Sequence, residues 1–205
     1  MRRTNPKLSL SAQQITLLRS RRIFRVKRQV TEKLLVCLQD TRDLLLTALK
    51  QTTYPWPEGM DLNYGKISKG ENYQGFPYMI LDFPRLFRHD RWFAYRTMIW
   101  WGHHVAFTFL LKGPEAERAL RQLQRLPPAQ WLLTDYVCIS EDPWQHHFKP
   151  GYVQRLRELN SRDLSRRVAP LPYLKLMRRR SLNHLERLPD DAVATWQHYM
   201  QRLLL

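Results

Sequence analysis

Aromatic and β-branched residues are concentrated in two neighbouring runs near the middle of the chain, 93–101 and 105–111. This composition is typical of β-strands, and Gly102 between the runs predicts a tight hairpin. Opposite residues in paired strands share a face of the sheet. A loop of odd length is therefore needed to gather the apolar odd-numbered positions of both runs on one face. We predict the three-residue loop Gly102-His103-His104, which pairs Trp101 with Val105, Ile99 with Phe107, Thr97 with Phe109 and Tyr95 with Leu111.

The N-terminal quarter of the chain follows a different period. In the range 11–51, apolar residues recur mostly in steps of three or four, without a proline or a glycine. This spacing predicts helical structure, either as one long helix or as two helices joined near Asp40. Ser11 and Gln14 have the spacing of a capping box, so we expect the helix to begin directly after Ser11.

The other segments predict shorter elements. In chain order these are a weak strand (64–68), a turn (69–72), a strand ended by Pro84 (76–83), a charged connection (85–91), a helix starting at Gly113-Pro114, a strand (131–140), a short helix (152–160), a basic, proline-broken segment (166–180) and a final helix after Pro189. We therefore predict an α+β fold, with an antiparallel sheet of four to five strands (about 64–140) packed by N- and C-terminal helices. The length fits a single α+β domain, 1–205, in which 1–10 is a flexible arm and 11–51 a helical N-terminal extension.

The charge balance changes what this domain is expected to bind. Lys and Arg number 34 against 18 Asp and Glu, which gives a formal net charge of +16 and a pI near 10.4. Such an excess indicates an anionic partner, namely nucleic acid, a membrane surface or an acidic protein; a basic surface without a specific ligand is the simpler alternative. The candidate anion-binding residues are Lys66 and Lys69 in the stretch KISKGENYQG, and Arg22, Arg25 and Arg28 on the basic face of the N-terminal helix.

Targeting signals are absent from the sequence. The basic N-terminus lacks the apolar stretch of a secretory signal. The nearest approach to a membrane span, 98–111, is too short to cross a bilayer and contains two histidines. We therefore expect a cytoplasmic protein without a membrane span.

Motifs for cofactors and metals are also lacking. The two cysteines are about a hundred residues apart, which fits neither a disulfide framework nor a zinc motif. The histidine pairs His103-His104 and His146-His147 converge only if the segment around 146 folds over the hairpin tip, so we expect no metal site. The scattered glycines and isolated serines match no phosphate-binding loop and no nucleophile motif, and we expect no cofactor.

One group of polar residues stands out within the predicted sheet. Asp82 lies near the end of an otherwise apolar strand, where an unpaired charge is costly, and Arg96 in the next strand is its natural partner. A structural ion pair that braces the sheet is the favoured interpretation. The alternative is a polar pocket of Asp82, Arg85, Arg96, His103 and His104, in which Arg96 binds an anionic group and a histidine transfers protons.

The segment KISKGENYQGFPYMILDFPRLF, followed by FAYRTMIWWG, resembles a family of uncharacterised bacterial proteins over residues 64–113. The resemblance implies a bacterial, cytoplasmic, single-domain protein, and no activity, cofactor or site. Our preferred hypothesis is an intracellular protein whose basic surface binds nucleic acid or an acidic partner. The alternative is a small enzyme or ligand-binding protein that uses the pocket near Asp82, Arg96 and His103, and the sequence leaves open whether the protein is an enzyme.

Overall fold

The structure is a computed structural model that describes residues 9–205. It divides the chain into two compact units, Met1–Val36 and Cys37–Leu205, and every strand of the described residues belongs to the second unit. Most of the predicted flexible arm, residues 1–8, lies outside the described residues.

The N-terminal segment forms two helices, α1 (Ala12–Arg19) and α2 (Arg21–Lys50). The predicted capping box is present, because the Ser11 hydroxyl accepts a hydrogen bond from the Gln14 amide at 3.2 Å and the Gln14 side chain accepts one from the Ser11 amide at 2.8 Å. The break between the helices lies at Ser20, so the predicted joint near Asp40 is wrong. Ser20 has an extended backbone and its Oγ accepts from the Ile23 amide at 3.3 Å, which caps the start of α2.

The second unit is built on one antiparallel sheet, which confirms the α+β class. The sheet has seven strands rather than four or five, in the spatial order β1-β2-β3-β4-β7-β5-β6. The strands are β1 (Lys66–Tyr73), β2 (Phe76–Phe87), β3 (Trp92–Trp100), β4 (His104–Lys112), β5 (Asp135–Cys138), β6 (Val153–Arg155) and β7 (Leu174–Arg180). The sheet therefore extends well beyond the predicted limit near residue 140.

The β3–β4 hairpin has the predicted loop length at a shifted position. Odd positions do pair with odd positions, but Ile99 pairs with Val105, so the loop is 101–103. The His103 amide donates to the Trp100 carbonyl at 3.1 Å, and Gly102, with φ 72°, is the third residue of this four-residue turn. A type II turn requires positive φ at that position, and the glycine therefore fixes where the chain reverses.

The strands before this hairpin differ from prediction in two ways. Residues 69–72 belong to β1 and do not form a turn; a Cβ on Gly70 would lie 2.4 Å from the Tyr78 ring, so the glycine makes room for a cross-strand aromatic side chain. Strand β2 also continues through Pro84 to Phe87, with an irregular register between Asp82 and Arg85. A proline is tolerated where the ladder is interrupted in this way.

The largest error of the sequence prediction is β7. This strand lies between β4 and β5, in a segment that was predicted to be basic and broken by prolines. Its residue Arg178 forms a buried ion pair with Asp135, with Nε–Oδ1 and NH2–Oδ2 distances of 2.6 and 3.0 Å. The predicted helix at 152–160 is also wrong, since Val153–Arg155 is strand β6 and a single 3₁₀ turn follows it.

Different segments cover the two faces of the sheet. Helices α3 (Pro114–Arg125) and α5 (Leu188–Leu203) pack on what we call the helix face, where the fully buried Trp196 meets aromatic residues of β3 and β4. Helix α4 (Ser161–Arg167) packs against α3. The irregular segment 139–152 covers much of the opposite face, which we call the loop face. No helix among residues 9–205 is long and apolar enough to cross a membrane.

Candidate functional site

The predicted ion pair between Asp82 and Arg96 is present on the loop face. The two residues are directly opposite on β2 and β3. Arg96 donates from Nε and NH2 to the two carboxylate oxygens, at 2.6 and 2.9 Å. Both side chains are largely buried, with 14% of Arg96 and 10% of Asp82 exposed. Two parallel hydrogen bonds to opposite charges satisfy both groups where water is scarce.

His146, which the sequence analysis did not include among the pocket candidates, also contacts Arg96. The NH1 atom of Arg96 lies 3.1 Å from Nε2 of His146. Burial is the main reason that the pKa of His146 is lowered well below its usual value, and the charges of Lys175 and Arg96 act in the same direction. The ring is therefore neutral, and because Nε2 accepts from the guanidinium, its proton is on Nδ1. That Nδ1 is buried without a hydrogen-bond partner among the described residues.

Lys175 of β7 binds the backbone of the segment 139–152, which covers the loop face. The residue is 1% exposed, and its ammonium donates to the carbonyl oxygens of Pro143, at 2.8 Å, and of Gln145. Burial lowers the pKa of Lys175 to about 8. At neutral pH the lysine therefore remains mostly charged and is bound to the backbone of the segment 139–152.

Further contacts fix the same segment. The Tyr73 hydroxyl accepts from the His146 amide at 2.7 Å and donates to the Gln145 side chain at 3.1 Å. Trp144 lies against the Arg96 guanidinium, 5.9 Å from its ring centroid. The loop face is thus closed here by a connected polar network that uses all three guanidinium nitrogens of Arg96.

The two predicted hairpin histidines are separated by the fold. His103 is exposed and stacks on Trp100, with ring centroids 3.6 Å apart. His104 is buried, and its Nε2 lies 3.2 Å from the carbonyl oxygen of His146. Burial lowers the pKa of His104 to about 4, so its ring is neutral at pH 7.

The convergence of the two histidine pairs does occur, because residue 146 lies over the hairpin end. The contact runs from a ring nitrogen to a backbone carbonyl, which differs from an arrangement of metal ligands. Within residues 9–205, no group of three or more His, Cys, Asp or Glu side chains has a geometry that could hold a metal ion.

Arg85 does not join the pocket candidates. It follows the irregularity in β2 and pairs with Asp61, with an Nε–Oδ2 distance of 3.2 Å. The same carboxylate accepts hydrogen bonds from the backbone amides of 63, 64 and 65. Arg85 therefore stabilises the approach to β1, and the polar residues that come together are Asp82, Arg96, His146 and Lys175.

The predicted anion-binding residues are all exposed. Lys66 and Lys69 lie on β1 at one edge of the sheet, and the stretch that contains them is a strand without the predicted turn. Arg22, Arg25 and Arg28 lie on α2, where Arg28 donates to Glu32 at 2.9 Å.

A different basic group lies on the loop face near β5 and β6, where the fold brings basic residues against aromatic rings. The guanidinium of Arg179 lies over the Phe148 ring, 5.9 Å from its centroid, and that of Arg155 lies 6.0 Å from the centroid of Tyr136. The two rings touch edge to face, with centroids 4.8 Å apart. We call Tyr136, Phe148, Arg155 and Arg179 the aromatic–basic patch.

The patch stays open to solvent. Arg155 and Arg179 are exposed, and Tyr136 and Phe148 are half-buried. Tyr136 and Arg155 become neighbours in the patch because they lie opposite each other on the paired strands β5 and β6. Because residues 152–160 have apolar residues at helical spacing, the sequence hides that pairing.

Comparison with known proteins found no match to this chain among protein-family models, curated proteins or solved structures. The bacterial family resemblance of residues 64–113 therefore stays a prediction, and any function must be argued from the geometry of the chain itself.

Proposed function

We propose that the protein binds single-stranded nucleic acid on the aromatic–basic patch. The observation that carries this proposal is the pair of exposed arginines over two adjoining aromatic rings. Proteins that bind single strands combine cationic side chains, which meet the phosphates, with aromatic rings, on which bases stack. The excess of positive charge on the chain, +16, favours any such encounter.

The geometry supports unpaired bases as the ligand. Tyr136 and Phe148 are half-buried in an apolar cluster with Val153 and Met177, so their rings are held in place and cannot reach into a groove. Bases must come to such rings, and only a single strand has free base faces to offer. An acidic protein matches the charges but leaves the aromatic rings without a role.

The enzyme hypothesis has no comparable support. His103 stacks on Trp100 at the hairpin end. Trp100 lies four residues after Arg96 on β3. Arg96 itself is bonded to Asp82 and faces His146. A cytoplasmic location in a bacterium is part of the proposal and rests on the sequence.

Fluorescence anisotropy with labelled single-stranded DNA and RNA at low salt tests the proposal. The variants Tyr136→Leu and Phe148→Leu keep apolar volume in the patch and remove the aromatic face. Each is expected to weaken binding by at least about fivefold, because stacking contributes about 1–3 kcal/mol per base.

Phe87→Leu is the matched control, since Phe87 is also a partly exposed aromatic residue of the sheet. It should bind like the unaltered protein. Unaltered affinity of both patch variants, or tighter binding of a duplex than of a single strand of the same sequence, contradicts the proposal.

A further inference from the structure

The first half of α2 carries an apolar stripe that remains exposed. Ile23, Phe24, Val26 and Val30 are between 36% and 53% exposed. At 100° per residue these side chains lie on one side of the helix, and the same side is buried farther along at Leu38 and Leu45. In α1, none of whose residues is buried, Ile15 and Leu18 add to the exposed apolar surface.

Basic residues dominate the rest of this segment. Residues 9–36 contain a single acidic residue, Glu32. The basic residues of the same range are Arg19, Arg21, Arg22, Arg25, Arg28 and Lys33 outside the stripe, and Lys27, which lies within it between Ile23 and Phe24 and has a side chain long enough to carry its charge to the margin. Arg22 and Arg28 border the apolar stripe on its two sides, so cations line both margins of the exposed apolar surface.

The charge decides which partner fits. A second copy of the chain would bring two strongly basic helices together, which repel each other. Nucleic acid matches the arginines but leaves the apolar stripe in water. An anionic lipid surface matches both, because it offers negative headgroups along both margins and hydrocarbon between them.

We propose that the N-terminal helical segment, residues 12–30, docks on the surface of anionic lipid bilayers, with Ile23, Phe24, Val26 and Val30 in the acyl region and the flanking arginines at the headgroups. A helix with a strongly cationic face and an opposed apolar face containing phenylalanine has the features of interfacial membrane helices. The inference is independent of the aromatic–basic patch, which lies in the other unit.

Vesicle flotation with the full chain tests this inference. Vesicles of phosphatidylcholine alone are compared with vesicles that also contain phosphatidylglycerol. The protein is expected to float with the anionic vesicles only. The double variant Phe24→Ser/Val30→Ser should bind at least about tenfold more weakly, since two exposed apolar contacts are lost. Arg22→Ser/Arg28→Ser should weaken binding to the anionic vesicles by about fivefold for each arginine.

Leu132→Ser/Leu133→Ser is the matched control, because it removes two exposed leucines of the second unit and should float normally. Circular dichroism checks that each variant keeps its helix content. Three results overturn the inference: no flotation with anionic vesicles at low salt, equal flotation with phosphatidylcholine alone, or unaltered flotation of Phe24→Ser/Val30→Ser. Self-association that this variant abolishes, without any flotation, identifies a second copy as the occupant instead.

Discussion

At the scale of single residues, the loop face is held by charges that have little contact with water. Arg96 is bonded to Asp82 and faces His146, and Lys175 is bonded to backbone carbonyls. Removing one partner of a buried pair leaves the other charge without compensation, which is costlier than removing both. The network therefore fixes the position of the segment 139–152.

Replacing one member of the Asp82–Arg96 pair is expected to destabilise the fold strongly. Asp82→Leu or Arg96→Met should lower the free energy of unfolding by about 3–5 kcal/mol, and the double variant by much less than the sum. Urea unfolding measures both. The exposed pair Arg28–Glu32 is the control, because Glu32→Ala should leave the stability nearly unchanged. Additive losses at Asp82 and Arg96 would show that the pair does not act as a unit.

His104 should make stability depend on pH. Its pKa is about 4 in the folded protein and near 6.5 in the unfolded chain. Between these values the unfolded chain binds a proton that the folded protein does not, so the free energy of unfolding falls as pH is lowered from about 6.5 towards 4. His104→Gln should remove the pH dependence that His104 contributes, which is at most about 1.4 kcal/mol in the free energy of unfolding per pH unit. Parallel stability–pH curves for the variant and the unaltered protein would refute the assignment.

At the scale of secondary-structure elements, the sequence patterns correctly predicted the features that depend on interactions between residues close together in the chain. Alternation in β3 and β4 fixed the odd loop length, and the capping box located the start of α1. The turn position was missed by one residue because it depends on where Gly102 takes a positive φ. Strand β7 was missed because Lys175 and Arg178 look like surface residues until their distant partners, such as Asp135, are known.

Two glycines beside β1 and β2 allow a direct test of backbone and packing effects. Gly65 and Gly75 both have positive φ, 68° and 88°. A Cβ at Gly65 would lie 2.9 Å from Cβ of the buried Phe83, whereas one at Gly75 would meet nothing within 4 Å. Gly75→Ala should therefore cost about 1–2 kcal/mol for conformation alone, and Gly65→Ala about 1–3 kcal/mol more. Equal losses in urea unfolding would contradict the packing role of Gly65.

At the scale of the whole molecule, charge is divided between buried and exposed roles. Some arginines, such as Arg96 and Arg178, stabilise the sheet, and others remain at the surface, such as Arg179 and Arg155, which pairs with Glu158 there. The net charge indicated an anionic partner, and composition could not say which arginines would meet it. That distinction depends on which residues the sheet brings together, as Tyr136 and Arg155 show.

The salt dependence of single-strand binding tests the proposed function most directly. Each phosphate contact contributes about 0.7 to the slope of log affinity against log salt concentration for a single strand. Arg155→Ala/Arg179→Ala should therefore reduce that slope by about 1.4, because two contacts are lost. Arg118→Ala/Arg125→Ala, which removes two exposed arginines of α3, should leave the slope unchanged. Equal slopes for both double variants, or no binding at low salt, would contradict the assignment of this face to nucleic acid.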